Sequence, residues 1–237
     1  INFCKDGVKM KTMVIAGAGK GLGLSLAKVF GKEGFQIALI ARNAEKLQSI
    51  VNELQAQGIE ASYYLADLTK KEAVEKAMTD IKVKYGVIDI MELSPVPTTF
   101  LPATAVKTTA ENAMAPFEGF VISAINVANS LLPDMLERGE GALLFTTGLS
   151  AMYPIPMLGN IGIAMAGLRS YIMNLHTELS PKGILVAHRS LGLMMKAGTG
   201  AVNDPDVIAK MWYQVYSEKL DGEQEYPKGV TPKTMVF

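Results

Sequence analysis

The stretch Val14-Ile15-Ala16-Gly17-Ala18-Gly19-Lys20-Gly21-Leu22-Gly23 limits what this chain can become more than any other. A short apolar run ends in a cluster of glycines, and an amphipathic segment, Leu24 to Phe30, begins at once. That is the order of a buried strand, a tight turn and a helix N-terminus. Glycines let the backbone turn sharply and let a diphosphate approach the main chain closely. The first N–H groups of the helix, with its dipole, then favour anionic phosphates. The pattern predicts a dinucleotide site at the start of the fold.

Strand and helix patterns alternate through the first half. Thr12 to Ala16 predicts a strand, and Leu22 to Lys32 a helix closed by Gly34. Gln36 to Ala41 and Ala61 to Ala66 are strand-like, separated by a helical pattern from Ala44 to Gln57. Lys71 to Tyr85 is helical, and Val87 to Leu93 is a fourth strand. Pro95, Pro97 and Pro102 then predict a loop. Further helices are expected over Pro116 to Arg138, Gly162 to Leu179 and Asp206 to Lys219, with strands at Ala142 to Thr146 and Ile184 to His188. Short strands alternating with helices imply parallel pairing through right-handed crossovers. The expected fold class is α/β: a doubly wound, Rossmann-type parallel sheet with helices on both faces. Residues 10–237 are expected to form one such domain, and residues 1–9 a leader ahead of it or a disordered start.

Lys plus Arg balance Asp plus Glu at 23 each, which gives no electrostatic case for nucleic acid or an anionic membrane. The longest apolar run, Ile155 to Leu168, is interrupted by Pro156, Gly159 and Asn160 and does not predict a membrane span. Cys4 is the only cysteine, so a reducing compartment, the cytoplasm, is the expectation. No cluster of His, Cys, Asp and Glu has metal-ligand spacing, and no metal is expected.

An acidic residue about 20 positions beyond such a glycine turn binds the ribose 2′-hydroxyl of NAD. Here the end of the second strand reads Ala41-Arg42-Asn43. No carboxylate is present to repel a 2′-phosphate, and Arg42 offers a planar fork matched to one. Lys20, inside the turn, adds a second positive charge. Taken singly, either residue reads as a solvated surface charge; together they predict NADP(H).

These residues resemble the short-chain dehydrogenase/reductase family. Gly17 to Gly23 is similar to its cofactor turn, with Ala16 where threonine is usual. Ala41-Arg42-Asn43 resembles its NADP-type strand end, and Ala66-Asp67-Leu68-Thr69 the segment whose aspartate contacts adenine. Ile88-Asp89-Ile90, Gly141-Ala142-Leu143-Leu144 and Ser180-Pro181-Lys182-Gly183-Ile184 resemble its approach to the fourth, fifth and sixth strands. The resemblance implies a cofactor set of Gly17, Gly19, Lys20, Gly21, Leu22, Arg42, Asp67, Leu68 and Ser94.

The family's chemistry uses a Tyr-x-x-x-Lys pair on the helix after the fifth strand, a serine upstream and an asparagine on the preceding helix. The tyrosine is general acid or base, the lysine lowers its pKa, and the serine positions the substrate oxygen. In this chain Ile161 falls at the tyrosine, Met165 at the lysine, Gly148 at the serine and Phe120 near the asparagine. The Asn-Asn-Ala-Gly segment of the family is here Leu93-Ser94-Pro95-Val96. Of the polar residues near the fifth-strand end (Thr146, Thr147, Ser150 and Tyr153) Tyr153 is the weak candidate for a proton donor. His176 and His188 have no carboxylate neighbour in sequence and are expected to be structural. An apolar centre of this kind suits a small hydrophobic substrate.

The second long helix carries Ile161, Ile163, Met165, Leu168, Ile172 and Leu175 with little polar face. Cover by a second subunit is expected, in a homodimer or homotetramer, with burial under the C-terminal tail as the alternative. The sequence thus leaves three functions to separate: an oxidoreductase with an atypical active site, a catalytically inactive NADP(H)-binding sensor or structural partner, and an oligomeric scaffold.

Overall fold

A computed structural model describes residues 10–94 and 100–237. The expectations that fall on residues 1–9, Pro95, Val96 and Pro97 lie outside the described residues. Seven strands are present among them: β1 (Thr12–Ala16), β2 (Gln36–Ala41), β3 (Ala61–Leu65), β4 (Ile90–Leu93), β5 (Gly141–Gly148), β6 (Ile184–Leu191) and β7 (Gly222–Tyr226). They form one sheet in the order β3-β2-β1-β4-β5-β6-β7, every pair parallel. The helices are α1 (Leu22–Lys32), α2 (Ala44–Ala56), α3 (Lys71–Tyr85), α4 (Ala110–Phe117), α5 (Ser123–Arg138), α6 (Gly159–Leu179) and α7 (Pro205–Ser217). This is the doubly wound architecture expected from the alternation of elements.

The sheet has a core on each face. Val14, Ala16, Leu143 and Phe145 look toward α3, α5 and α6; Met13, Ile15, Ala142 and Leu144 look toward α1, α2 and α7. Central strands buried on both sides need continuous apolar sequence, which is why β1 reads without polar alternation after Thr12. On the second face Leu26 and Phe30 of α1 are fully buried. Each such side chain contributes roughly 1.5–3 kcal/mol of hydrophobic stabilisation. Phe30 stacks edge-on against Phe35 and Tyr213, which ties α7 to α1.

β4 begins at Ile90 rather than Val87, β5 and β6 run on to Gly148 and Leu191, α6 begins at Gly159, and three further differences from expectation have physical reasons. First, β7 has the sequence Gly-Glu-Gln-Glu-Tyr, half-buried throughout, and carries no apolar run to mark it. Second, helix begins at Ala110, six residues before Pro116, because Thr109 and Asn112 form a reciprocal capping box. Proline has no N–H for the carbonyl four residues back. That carbonyl, Asn112 O, instead accepts from Asn160 Nδ2 at 3.1 Å. Third, a π-helical turn, Glu118–Ile122, joins α4 to α5. The resulting run Ala110–Arg138 is long and apolar enough, by length and composition, to cross a membrane. Half of its most apolar window is buried inside the molecule, where Val127, Leu131 and Met135 join the first core.

Candidate functional site

The connections from β1 and β4 leave in opposite directions along the sheet, so a crevice opens at the carboxyl ends of these neighbours. The glycine turn lies at its floor. Gly17 has φ +88°, and the N–H groups of Gly17 and Ala18 both donate to Ile40 O, at 2.9 and 3.1 Å. The turn is thereby held against β2. Among the described residues beyond the immediate chain neighbours, no atom lies within 4 Å of where a Cβ on Gly19 or Gly21 would stand, whereas one on Gly23 would meet Ala18 Cα at 3.1 Å. Gly23 therefore lets α1 close on the turn, and the other two keep space open above it. Gly21 caps α1 without any side-chain bond, so its own position brings no side chain to the first N–H groups of the helix, and none among the described residues bonds to them.

The other cofactor candidates stand along the same edge. Lys20 and Arg42 are exposed, Arg42 immediately after β2, where Asn43 caps α2 by accepting from Lys46 N at 2.8 Å. Asp67 follows β3. Burial acts to raise its pKa, but the N–H and hydroxyl of Thr69 (3.0 and 2.8 Å) and the charges of Arg42 and Lys70 hold it below the usual carboxylate value. Leu22 and Leu68 are buried, and Leu68 O accepts from Asn126 Nδ2 at 3.0 Å, which pins the loop to α5. Ser94 N donates to Ala16 O at 3.2 Å, setting the end of β4 beside the end of β1. The structure thus gathers Gly17, Gly19, Lys20, Gly21, Leu22, Arg42, Asp67, Leu68 and Ser94 along the ends of four adjacent strands.

The other half of this edge is built from buried polar groups. Glu92 of β4 is fully buried; its Oε1 accepts from Thr146 Oγ1 at 2.6 Å and its Oε2 from Ser94 Oγ at 3.1 Å. Thr146 Oγ1 also accepts from Trp212 Nε1 at 3.0 Å. Desolvation raises the Glu92 pKa to about 7, against the opposing pull of the two hydroxyls. On the opposite face of β5, Thr147 Oγ1 lies 2.7 Å from Nε2 of the fully buried His188. His188 Nδ1 lies 3.6 Å from Glu223 Oε2, an ion-pair distance beyond hydrogen-bond reach. Arg169 grips Glu223 through two nitrogens, Nε at 2.6 Å from Oε2. Burial lowers the His188 pKa to about 4 although Glu223 pulls the other way, so the ring is neutral near pH 7. The nearby carboxylate favours the Nδ1–H tautomer, and Thr147 then donates to Nε2.

Of the residues that the sequence resemblance sets against reactive groups, Gly148 closes β5, Ile161 is half-buried in the first turn of α6, and Met165 is buried one turn later. Phe120 is buried in the π-helical turn, edge-on to Phe100 at 5.6 Å between ring centroids. Tyr153 is half-buried at the end of the turn after β5, where its N–H donates to Leu149 O. Both histidines have carboxylate neighbours in space that sequence proximity does not reveal, His176 with Asp221 Oδ2 at 3.0 Å. Sequence reasoning also missed Glu92, whose signal is a lone carboxylate inside an apolar strand, and Asn160. The Asn160 amide is fully buried and bonds Ala103 N, Ile161 N, Leu101 O and Asn112 O. A cavity of about 480 Å³ between Lys11, Asp89, Glu140 and Tyr216 lies at the opposite, amino-terminal edge of the sheet, far from these groups. The strand-end chemistry outweighs its size.

The profile of the family described as short chain dehydrogenase matches residues 11–205. A very-long-chain 3-oxoacyl-CoA reductase of Anas platyrhynchos is 28% identical over 178 residues, covering 73% of this chain and 56% of that protein. A short chain dehydrogenase of Pseudocercospora fijiensis is 25% identical over 175 residues, covering 74% and 57%. The chain therefore spans little more than half the length of these two relatives. Among solved structures, L-sorbose reductase from Gluconobacter frateurii, complexed with NADPH and L-sorbose, aligns with a TM-score of 0.83 at 23% identity, over 95% of this chain and 98% of that one. An actinorhodin polyketide ketoreductase variant with NADPH aligns with a TM-score of 0.84 at 18% identity, over 95% and 97%. At these identities the likeness establishes the shared fold. A family match that runs unbroken from the residue before β1 to the start of α7 makes this chain a member of the short chain dehydrogenase family.

Proposed function

We propose that this chain binds NADP(H) along the ends of β1 to β4 and acts as an oxidoreductase with an atypical active centre. The observation that carries the reading is the turn into α1: a left-handed Gly17, open space over Gly19 and Gly21, and a helix N-terminus without a side-chain cap. A Cβ at either open glycine would fill the space a diphosphate needs, so the residues present fit the nucleotide. The NADPH in the similar L-sorbose reductase and ketoreductase structures supports the same cofactor here.

In this reading the first N–H groups of α1 hold the diphosphate, and Lys20 and Arg42 take the 2′-phosphate. Asp67 and Leu68 hold the adenine end, and Ser94 lies at the β4 end of the crevice. The bound nucleotide supplies a hydride donor or acceptor. Gly148, Ile161, Met165 and Phe120 bring no ionisable group to the reacting centre, so these residues exclude water and favour a small hydrophobic ligand. Loss of positioned acid–base help slows such a reaction by ~10²–10⁴-fold. Tyr153 is the remaining phenol near the strand end. The same four residues also favour a second reading, an NADP(H)-binding sensor or structural partner without turnover. Exposed Met114 and Ile163, on α4 and α6, support pairing of subunits through these helices as a homodimer or homotetramer.

Titration with NADPH and NADH tests the cofactor assignment. Arg42→Ala combined with Lys20→Ala removes two charge-assisted hydrogen bonds to the 2′-phosphate. The double variant is expected to weaken NADPH about 100-fold and to leave NADH unchanged. An unmoved NADPH affinity sinks the 2′-phosphate assignment. Incubation with NADPH and a panel of aldehydes, ketones and enones separates oxidoreductase from sensor.

A further inference from the structure

Ser150 stands in the turn that follows β5, and its chemical state is unlike that of its neighbours. The residue is only 7% exposed. Among the described residues its hydroxyl makes no hydrogen bond, while Thr146, Thr147 and Ser190 around it are all bonded. A hydroxyl this deeply buried normally has a partner. The oxygen is not sealed in protein either: of the described side-chain atoms, those fully enclosed without a partner are Ser180 Oγ and His188 Nδ1. Ser150 Oγ therefore opens on to whatever fills the crevice above β5.

Gly148 defines that space. The Gly148 carbonyl is fixed from one side by Ser190 Oγ, which donates to it at 2.8 Å. On the side where a Cβ would project, Ser150 Oγ at 3.9 Å is the only atom within 4 Å among the described residues beyond the immediate chain neighbours. Ser150 thus already presents its hydroxyl close to where a hydroxyl on residue 148 would sit. The turn itself is rigid, since the N–H groups of Met152 and Tyr153 both donate to Leu149 O at 3.0 Å. The neighbouring α6 packs against this turn and offers Ile161 and Met165, which carry no polar side-chain group able to compete for the hydroxyl.

We propose that Ser150 is the donor to the ligand's oxygen: its hydroxyl hydrogen-bonds the carbonyl oxygen of a small, otherwise apolar ketone or aldehyde lodged over Gly148. The assignment rests on the reading of this edge as the ligand site, and it concerns binding alone. It gives Gly148 a positive role, since the missing side chain is the space the ligand occupies.

Acetophenone tests the assignment, with ethylbenzene as the analogue that lacks the oxygen, both titrated into the NADPH-loaded protein. Wild type is expected to bind acetophenone more tightly than ethylbenzene. Ser150→Ala should weaken acetophenone about 3- to 10-fold, one neutral hydrogen bond, and leave ethylbenzene and NADPH unchanged. The infrared carbonyl stretch of bound acetophenone should rise in Ser150→Ala as the donor is lost. Ser150→Thr, or Gly148→Ser added to Ser150→Ala, should restore both affinity and frequency. Equal losses for the two probes would mark Ser150 as structural and overturn the proposal. So would acetophenone binding that ignores Ser150→Ala, or wild type showing no preference for the oxygen-bearing probe. Wild type that binds no NADPH counts against the function proposed above, independently of the probe results.

Discussion

Thr146 and Thr147 are consecutive on β5 and face opposite sides of the sheet. Thr146 donates to a buried acid, Glu92, and accepts from Trp212; Thr147 meets a buried base, His188. Desolvation acts on both titratable groups and pushes them in opposite directions, Glu92 up to about 7 and His188 down to about 4. Below pH 7 the acid keeps its proton, and above pH 4 the base lacks one, so across that interval neither is charged. The faces differ in what lies beyond. Among the described residues no charged side chain counters Glu92, whereas Glu223 and Arg169 stand behind His188. A hydroxyl can therefore satisfy a buried titratable group in its neutral form with or without an ion pair near it.

The sharpest break of this pair is on the Glu92 side. Trp212→Ala removes a fully buried indole and should lower stability by about 3–5 kcal/mol, measured as the urea midpoint with an unchanged m-value. Next come the two slopes with pH. The folded Glu92 pKa lies above the ordinary 4.5, so its contribution is complete below pH 4.5 and is lost as pH rises through about 7, on the order of 3 kcal/mol. The folded His188 pKa lies below the ordinary 6.5, so its contribution is complete above pH 6.5 and is lost as pH falls through about 4, again on the order of 3 kcal/mol. The two nearly cancel over pH 4.5–6.5 in the wild type. Glu92→Gln should make stability climb with pH in that window, and His188→Gln should make it fall. Matching slopes in the two variants would break the contrast. The smallest effect is Thr147→Val, which leaves His188 Nε2 without its partner and should lower the stability measured in urea by about 1–3 kcal/mol.

How legible these features were depends on what each residue interacts with. The strand–turn–helix at Val14 to Gly23 was plain because glycines and apolar runs act through their own backbone and their nearest neighbours. Arg42 was legible for a similar reason, since it stands at the tip of a predictable strand. Glu92 appeared only as one residue of a fourth strand, because its partner Thr146 is 54 positions away, and Trp212 lies 66 positions beyond that. Asn160 gave no signal, since its task is to satisfy Asn112 O across 48 residues, a need that Pro116 creates. β7 joins β6 through a parallel backbone ladder, with His188 and Arg189 of β6 reaching Glu223 and Gly222 of β7, and displays a polar sequence. Local geometry is written locally, and buried polar chemistry is written in pairs.

Trp212 is the only tryptophan in the chain. Its indole N–H is bonded to Thr146, one hydroxyl away from the Glu92 carboxyl, and the Arg189 guanidinium lies over its ring, 5.8 Å from the centroid. Tryptophan emission shifts with the electric field along the ring, so this molecule carries its own optical gauge of the Glu92 proton. Excitation of a single chromophore should report the ionisation of that carboxyl without any label, and the emission of Glu92→Gln should be blind to the same change in pH.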